Sequence, residues 1–151
     1  MSFPTIAANN SLYNTLPIFN LYIATLVLQS LARTFASQRI SGQETIASRK
    51  AQVLYDTLDA YPEVYHVVPH RDVRSRMNIC FRIVSPGSGS SGVVTPDEAR
   101  EKEFLAGAEK RHLLGLKGHR SVGGIRASNY NAVPLVNIEK LAAWLIEFAQ
   151  A

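Results

Sequence analysis

Apolar residues crowd the first part of the chain on every side. From Pro17 to Phe35 the residues Ile18, Phe19, Leu21, Tyr22, Ile23, Leu26, Val27, Leu28, Leu31 and Phe35 surround a helix instead of marking one stripe along it. Such a helix calls for partners all round. Ahead of it, residues 1–15 (MSFPTIAANNSLYNT) are rich in Asn, Ser and Thr, which favour turns and caps, so they read as an irregular arm. Ser41 with Glu44 three residues on has the form of a capping box. It opens a second helix, in which Ile46, Val53, Leu54, Thr57 and Leu58 recur at helical spacing until Pro62 ends it.

The period then changes. Val64 to Val68 is a valine-rich run closed by Pro69, and Met77, Ile79, Phe81 and Ile83 alternate with Asn78, Cys80 and Arg82, so both segments predict strands. Residues 85–96 (SPGSGSSGVVTP) form a Gly/Ser-rich loop expected to be mobile. Thr95-Pro96-Asp97-Glu98 supplies a cap, a first-turn proline and an acidic third position for a helix reaching about Arg111. Leu113–Leu116 predicts a brief strand, Gly118–Gly123 a loop and Gly124–Ser128 a further strand. The last helix starts near Val136, with Ile138, Leu141, Ala142, Leu145, Ile146 and Ala149 as its inner stripe. The pattern implies an α/β chain: an α+β-like small domain with an open sheet of short strands packed by helices, preceded by a long apolar helix. No repeat appears, and the Gly/Ser loop does not divide two domains, because neither side alone looks complete.

Composition narrows the class. With 151 residues, 46% hydrophobic and 19% charged, the chain suits one packed domain and excludes disorder, collagen and coiled coil. Asn20, Thr25 and Gln29 interrupt the apolar stretch from Leu16 to Ala32, and Arg33 follows it, so a buried helix is expected instead of a membrane span. The Met1 end shows no basic segment followed by a short apolar stretch, so no secretory signal is expected. A lone cysteine, Cys80, has no disulfide partner and reads as a core thiol in a reducing, cytoplasmic compartment. The formal charge of +4 suits anionic ligands. Its Lys and Arg residues are scattered without a nucleic-acid reading motif, so a nucleic-acid partner is not expected. His66 and His70, on strand and post-proline segments, do not share a helical face, and His112 has no partner by sequence, so no metal site is expected.

The candidate chemistry lies in the run Lys117 to Arg126 (KGHRSVGGIR). It sets His119, Arg120 and Arg126 around a turn made pliable by Gly118, Gly123 and Gly124, with guanidinium groups suited to bidentate bonds with carboxylate or phosphate. It is neither a Walker A loop nor a dinucleotide fingerprint. Charge and spacing alone favour a plain solvent-exposed basic turn. Asn14 and Thr15, taken alone, favour a helix cap before Pro17. Arg74 and Arg76 read as residues of a solvated strand edge.

A resemblance sharpens these readings. LKGHRSVGGIRASNYNA (Leu116 to Ala132) is similar to the C-terminal signature of phosphoserine aminotransferases. NNSLYNT (Asn9 to Thr15), RSRMNICFRI (Arg74 to Ile83) and the closing helix with Lys140-Leu141-Ala142-Ala143 resemble the same family in the same order. The resemblance covers nearly the whole chain. It departs at Leu16 and Cys80, where the family commonly has proline, and in the long Gly/Ser loop. It implies the C-terminal domain of the fold-type I architecture, with residues 1–36 as arm and connecting helix and 37–151 as a small substrate-binding domain. It implies that Arg126 holds the substrate α-carboxylate, that His119 and Arg120 receive the distal phosphate or side-chain carboxylate, and that Asn14 and Thr15 contact the pyridoxal 5'-phosphate group of the neighbouring subunit in a homodimer. The implied substrates are a phosphorylated 2-oxo acid or amino acid and glutamate or 2-oxoglutarate. Such an enzyme needs a Schiff-base lysine and an acidic partner for the cofactor ring, and both lie upstream of this part in the family. None of Lys50, Lys102, Lys110, Lys117 and Lys140 stands in the matching context. The chain alone is therefore expected to be inactive. The alternative is a non-catalytic anion-binding or regulatory module of the same fold.

Overall fold

The structure is a computed structural model that describes residues 2–85, 94–119 and 122–151. The chain divides into two compact units, Met1–Gly42 and Gln43–Ala151. The first contains α1 (Phe3–Ala8) and α2 (Ile18–Thr34). The arm expected to be irregular thus holds a short helix: Pro4 sits in its first turn, where its missing N–H is not needed. No residue of α2 is buried, and Ile18, Phe19, Tyr22 and Leu28 are all more than half exposed. Among the described residues no single helix is long and apolar enough to cross a membrane; Ile18–Thr34 and Arg39–Asp59 reach that length and composition only as a sharply bent pair.

The helix α3 (Arg39–Asp59) continues into the second unit. The capping box expected at Ser41 is absent, because the helix begins two residues earlier; Ser41 Oγ donates back to the Gln38 carbonyl. The remaining elements are β1 (Tyr65–Val67), β2 (Asn78–Ile83), α4 (Glu98–Lys110), β3 (Ile125–Ser128) and α5 (Leu135–Ala149), with one 3-10 turn at Arg71–Val73. The strands form an antiparallel sheet in the order β1-β2-β3, with Tyr65 opposite Ile83 and Cys80 opposite Arg126. The strand expected at Leu113–Leu116 does not form. Just after it Lys117 bridges to Ile125, and the Leu116 carbonyl accepts from Arg126 N, so the chain touches the sheet edge and leaves it. The α4 cap is Asp97, which accepts from Arg100 N, in place of Thr95. Most of the Gly/Ser loop, residues 86–93, lies outside the described residues.

Alternation along β2 explains the core. Ile79, Phe81 and Ile83 are buried, with Tyr65 on one neighbouring strand and Ile125 and Ala127 on the other, while Asn78, Cys80 and Arg82 are half-buried. Phe104 of α4 is the hub of this core: it meets Phe81 edge-on at 6.0 Å between centroids, Phe148 edge-on at 5.2 Å and Trp144 stacked at 5.5 Å. The inner stripe of α5 is Ile138, Leu141, Ala142, Trp144, Leu145 and Phe148. Ile146, expected inside, is exposed because the two aromatic side chains claim the face toward Phe104, while Ala149 packs partly buried against the core as expected. Tyr65 donates its hydroxyl to the Leu145 carbonyl at 2.7 Å, and burial pushes that hydroxyl's pKa well above the usual phenolic value.

Two basic side chains are absorbed into the fold. Lys50 is fully buried, its Nζ donating to the carbonyls of Tyr130 at 2.8 Å and Val133 at 2.9 Å, and burial lowers its pKa. Arg74 lies half-buried over the Tyr55 ring and donates through both Nη atoms to Asp59, at 2.7 and 2.8 Å, instead of lying on a solvated edge. Arg76 likewise has partners, Glu44 and Ser48. The bonds from Arg74 hold the Asp59 carboxyl below its ordinary range, with Arg71 adding to the effect.

Two outcomes are expected. A depressed carboxylate contributes stability that is full above the unfolded value near pH 4 and is lost as pH falls through the lower folded value. Asp59→Asn should therefore lower the melting temperature at neutral pH, with the gap to wild type closing below about pH 4; an unchanged gap at acid pH would contradict the linkage. The naked α2 should make the isolated chain bind an apolar-surface dye and self-associate, and a monodisperse monomer in light scattering without dye binding would refute this.

Candidate functional site

The Lys117–Arg126 run folds back on itself. Gly118 N donates to the Gly124 carbonyl at 2.9 Å, Gly123 N to the His119 carbonyl at 2.8 Å, and Arg126 N to the Leu116 carbonyl at 2.8 Å. Gly123 and Gly124 both lie in the left-handed region, at φ 75° and 72°, which swings the chain from the loop into β3 at little steric cost. Gly118 lacks a Cβ where one would collide with the carbonyl oxygens of Gly123 and Gly124. These glycines are therefore required by backbone closeness as well as by pliability.

Beneath the loop runs Arg82. Its Nε donates to Glu101 Oε1 at 2.6 Å and its Nη2 to Glu101 Oε2 at 3.3 Å, while Nη1 reaches the Val122 carbonyl at 3.2 Å. Glu101 is only 6% exposed and also accepts from Ile83 N at 3.3 Å. Neither residue stood out in sequence. The available signal was that Glu101, Phe104 and Ala108 share one buried helical face, so a carboxylate interrupts an apolar stripe and needs a cation. A cavity of about 400 Å³ elsewhere is lined by Asp59, His66, Arg71 and Arg74, but its cations face Asp59. One of about 330 Å³ opens beside the loop, lined among others by Lys102, Lys117, His119 and the Arg82–Glu101 pair.

The expected site residues are placed as follows. Arg126 is half-buried on β3, on the same sheet face as Cys80, and its Nε is buried without a hydrogen-bond partner among the described residues. A buried guanidinium N–H left open is costly unless an acceptor arrives. His119 is exposed at the loop's start, three residues before Val122, whose N–H it accepts through its carbonyl. Arg120 lies outside the described residues. Asn14 and Thr15 belong to the first unit, exposed in the segment between α1 and α2; α2 is capped at Pro17 without a side-chain bond, so neither residue serves as its cap. Of the five lysines, Lys50 is sealed against two carbonyls, and Lys102, Lys110, Lys117 and Lys140 are exposed.

A methyl group at position 124 would sit 2.5 Å from Arg82 Cδ and 2.9 Å from the Phe81 carbonyl, whereas one at Gly115, also left-handed at φ 75°, meets nothing within 4 Å. Gly115→Ala should cost about 1–2 kcal/mol from backbone strain alone, and Gly124→Ala distinctly more, about 3 kcal/mol once the crowding is added. Urea unfolding of the two variants compares them directly; equal losses would contradict the packing described here.

No family model matches the chain. Relatives do. The chain is 47% identical over 149 residues to the phosphoserine aminotransferase of Burkholderia ambifaria strain MC40-6, and 45% identical over 146 residues to that of Burkholderia multivorans. Each match takes in 97% of this chain and 36% of the relative. Among solved structures, phosphoserine aminotransferase from Bacillus circulans subsp. alkalophilus superposes with a TM-score of 0.83 at 38% identity, over 98% of this chain and 37% of that one. A phosphoserine aminotransferase from Trichomonas vaginalis, described as PLP-bound, gives a TM-score of 0.76 at 29% identity over 95% of this chain. The chain thus spans a little over one third of the length of these relatives. In sequence and in backbone alike, it matches phosphoserine aminotransferases, enzymes of the fold-type I class, along nearly the whole of its own length.

Proposed function

We propose that this chain is the C-terminal, substrate-binding part of a phosphoserine aminotransferase, with residues 1–36 as arm and connecting helix and 37–151 as the small domain. In the complete enzyme an amino group passes from L-glutamate to 3-phosphohydroxypyruvate in serine biosynthesis, in a cytoplasmic homodimer. The reading is carried chiefly by the match of 97% of the chain to named aminotransferases. Arg126 adds physical support, because its buried Nε, without a partner among the described residues, is open to an acceptor such as an α-carboxylate. His119 and Arg120 then receive the distal phosphate, as imidazolium and guanidinium suit a doubly charged group.

Pyridoxal 5'-phosphate, when bound, supplies an electron sink for the amino transfer. Asn14 and Thr15, with exposed amide and hydroxyl donors in an irregular segment, suit its phosphate. Covalent attachment does not suit this chain's lysines. Lys50 is turned into the fold, and the other four lie on the surface without the burial that tunes a Schiff-base amine. The chain's own residues therefore bind and orient substrate and leave the chemistry to a lysine outside these 151 residues.

The short span relative to the matched enzymes favours a second reading, a non-catalytic anion-binding module of the same fold. One titration addresses both. Isolated chain, supplied with cofactor, glutamate and 3-phosphohydroxypyruvate, should form no phosphoserine, yet should bind O-phospho-L-serine in calorimetry. Arg126→Lys should weaken that binding by roughly ten- to a hundredfold, the worth of a bidentate charged pair. Turnover by the chain alone would overturn the assignment of the chemistry elsewhere. Undiminished affinity in the variant would remove Arg126 as the clamp. Adding a polypeptide that carries the remaining length of a relative separates the two readings: restored turnover favours the enzyme part, and binding without restored turnover favours the module.

A further inference from the structure

Arg82 lies against the same loop as the proposed anion-binding residues but cannot itself be one of them. Its guanidinium is spent on Glu101 through two hydrogen bonds, at 2.6 and 3.3 Å, and on the Val122 carbonyl at 3.2 Å. Its aliphatic stem fills the space under Gly124, where a Cβ would stand 2.5 Å from Cδ, and its guanidinium approaches within 3.5 Å of the place a Cβ would take on Gly123. Arg82 therefore touches the loop at Val122, Gly123 and Gly124, the three described residues just before β3. Its anchor is rigid: Glu101 is 6% exposed, lies one helical turn before the hub Phe104, and is also bonded to Ile83 N.

We propose that Arg82, locked by Glu101, is a positioning residue that sets the height and tilt of Val122–Gly124, and with them His119, relative to Arg126, and so the separation of the two anion subsites. This rests on the reading of that loop as the phosphate-receiving segment. A planar fork is needed for the task. Lysine at position 82 could keep the charge but could not hold both Glu101 oxygens and the Val122 carbonyl at once. Specificity between a substrate with a distal phosphate and one without it then depends on a residue that touches neither end of the ligand.

The test compares Arg82→Gln, Arg82→Lys and Glu101→Gln with Leu145→Ala, a core control that lowers global stability far from the loop. Native-state amide exchange reports the loop through the Gly118 and Gly123 N–H groups, whose acceptors are the Gly124 and His119 carbonyls. All three pair variants should speed exchange there about tenfold more than at amides between β1 and β2, whereas Leu145→Ala leaves the loop unchanged. Affinity for O-phospho-L-serine should fall about tenfold in the pair variants, with affinity for L-serine nearly unchanged, because only the distal subsite moves. Loop exchange unaltered in Arg82→Gln, or equally altered in Leu145→Ala, would overturn the proposal. Equal losses for phosphoserine and serine would overturn it as well, as the role would then be general stability. Should wild type fail to bind phosphoserine, the functional reading falls, and the exchange data still decide whether Arg82 sets the loop.

Discussion

A carboxylate as deeply enclosed as Glu101 must be met by a cation and by donors to its remaining lone pairs, or it would unfold the region around it. In this domain that requirement is met by Arg82 and Ile83 N, residues of the middle strand of the sheet. The consequence runs in two directions. Toward the core, it fixes the rotation of α4 so that Phe104 enters the aromatic cluster. Toward the surface, it holds the Arg82 stem under Gly124 and so determines where the glycine-rich loop can lie. Removing either partner would leave a buried charge alone, which costs far more than the pair contributes.

Packing and site are thereby joined through one helix. Phe104, in contact with Phe81, Trp144 and Phe148, is the point where sheet, α4 and α5 meet, and a close-packed cluster of this kind transmits displacement instead of absorbing it. A rotation of α4 would therefore be felt at the loop by way of Glu101 and Arg82. The first unit stands under a different regime. Its α2 has apolar residues on all sides and fully buries none of them, which is a marginal condition for a helix in water.

Much of this could be read from residue order, for identifiable reasons. The alternation in Met77–Ile83 marks β2 because one face of the strand meets the core. The all-round apolar α2 is equally legible. The segment Leu113–Leu116 misleads because its apolar residues suit a strand while its backbone is divided between the end of α4, where Leu113 N donates to the Ala108 carbonyl, and the edge of β3. The α5 stripe shifts because aromatic volume at Trp144 and Phe148 outweighs the simple spacing that favoured Ile146. Within the site, the glycines and cations of Lys117–Arg126 announce themselves locally. The bracing of that run does not, since Arg82 and Glu101 are nineteen positions apart and become partners only when α4 docks. Arg74 shows the same limit: read as a solvated edge residue, it is taken up by a carboxylate brought near by folding, whereas Arg76 stays exposed beside Glu44 and Ser48.

Lys50 also bears on the order in which the domain comes together. Its ammonium clasps the carbonyls of Tyr130 and Val133, eighty and eighty-three positions along the chain. A loop of that length must lose its closure entropy before the clasp returns any enthalpy, and non-local contacts of this kind slow folding. The turn between β3 and α5 can therefore be secured only after α3 has found the rest of the domain.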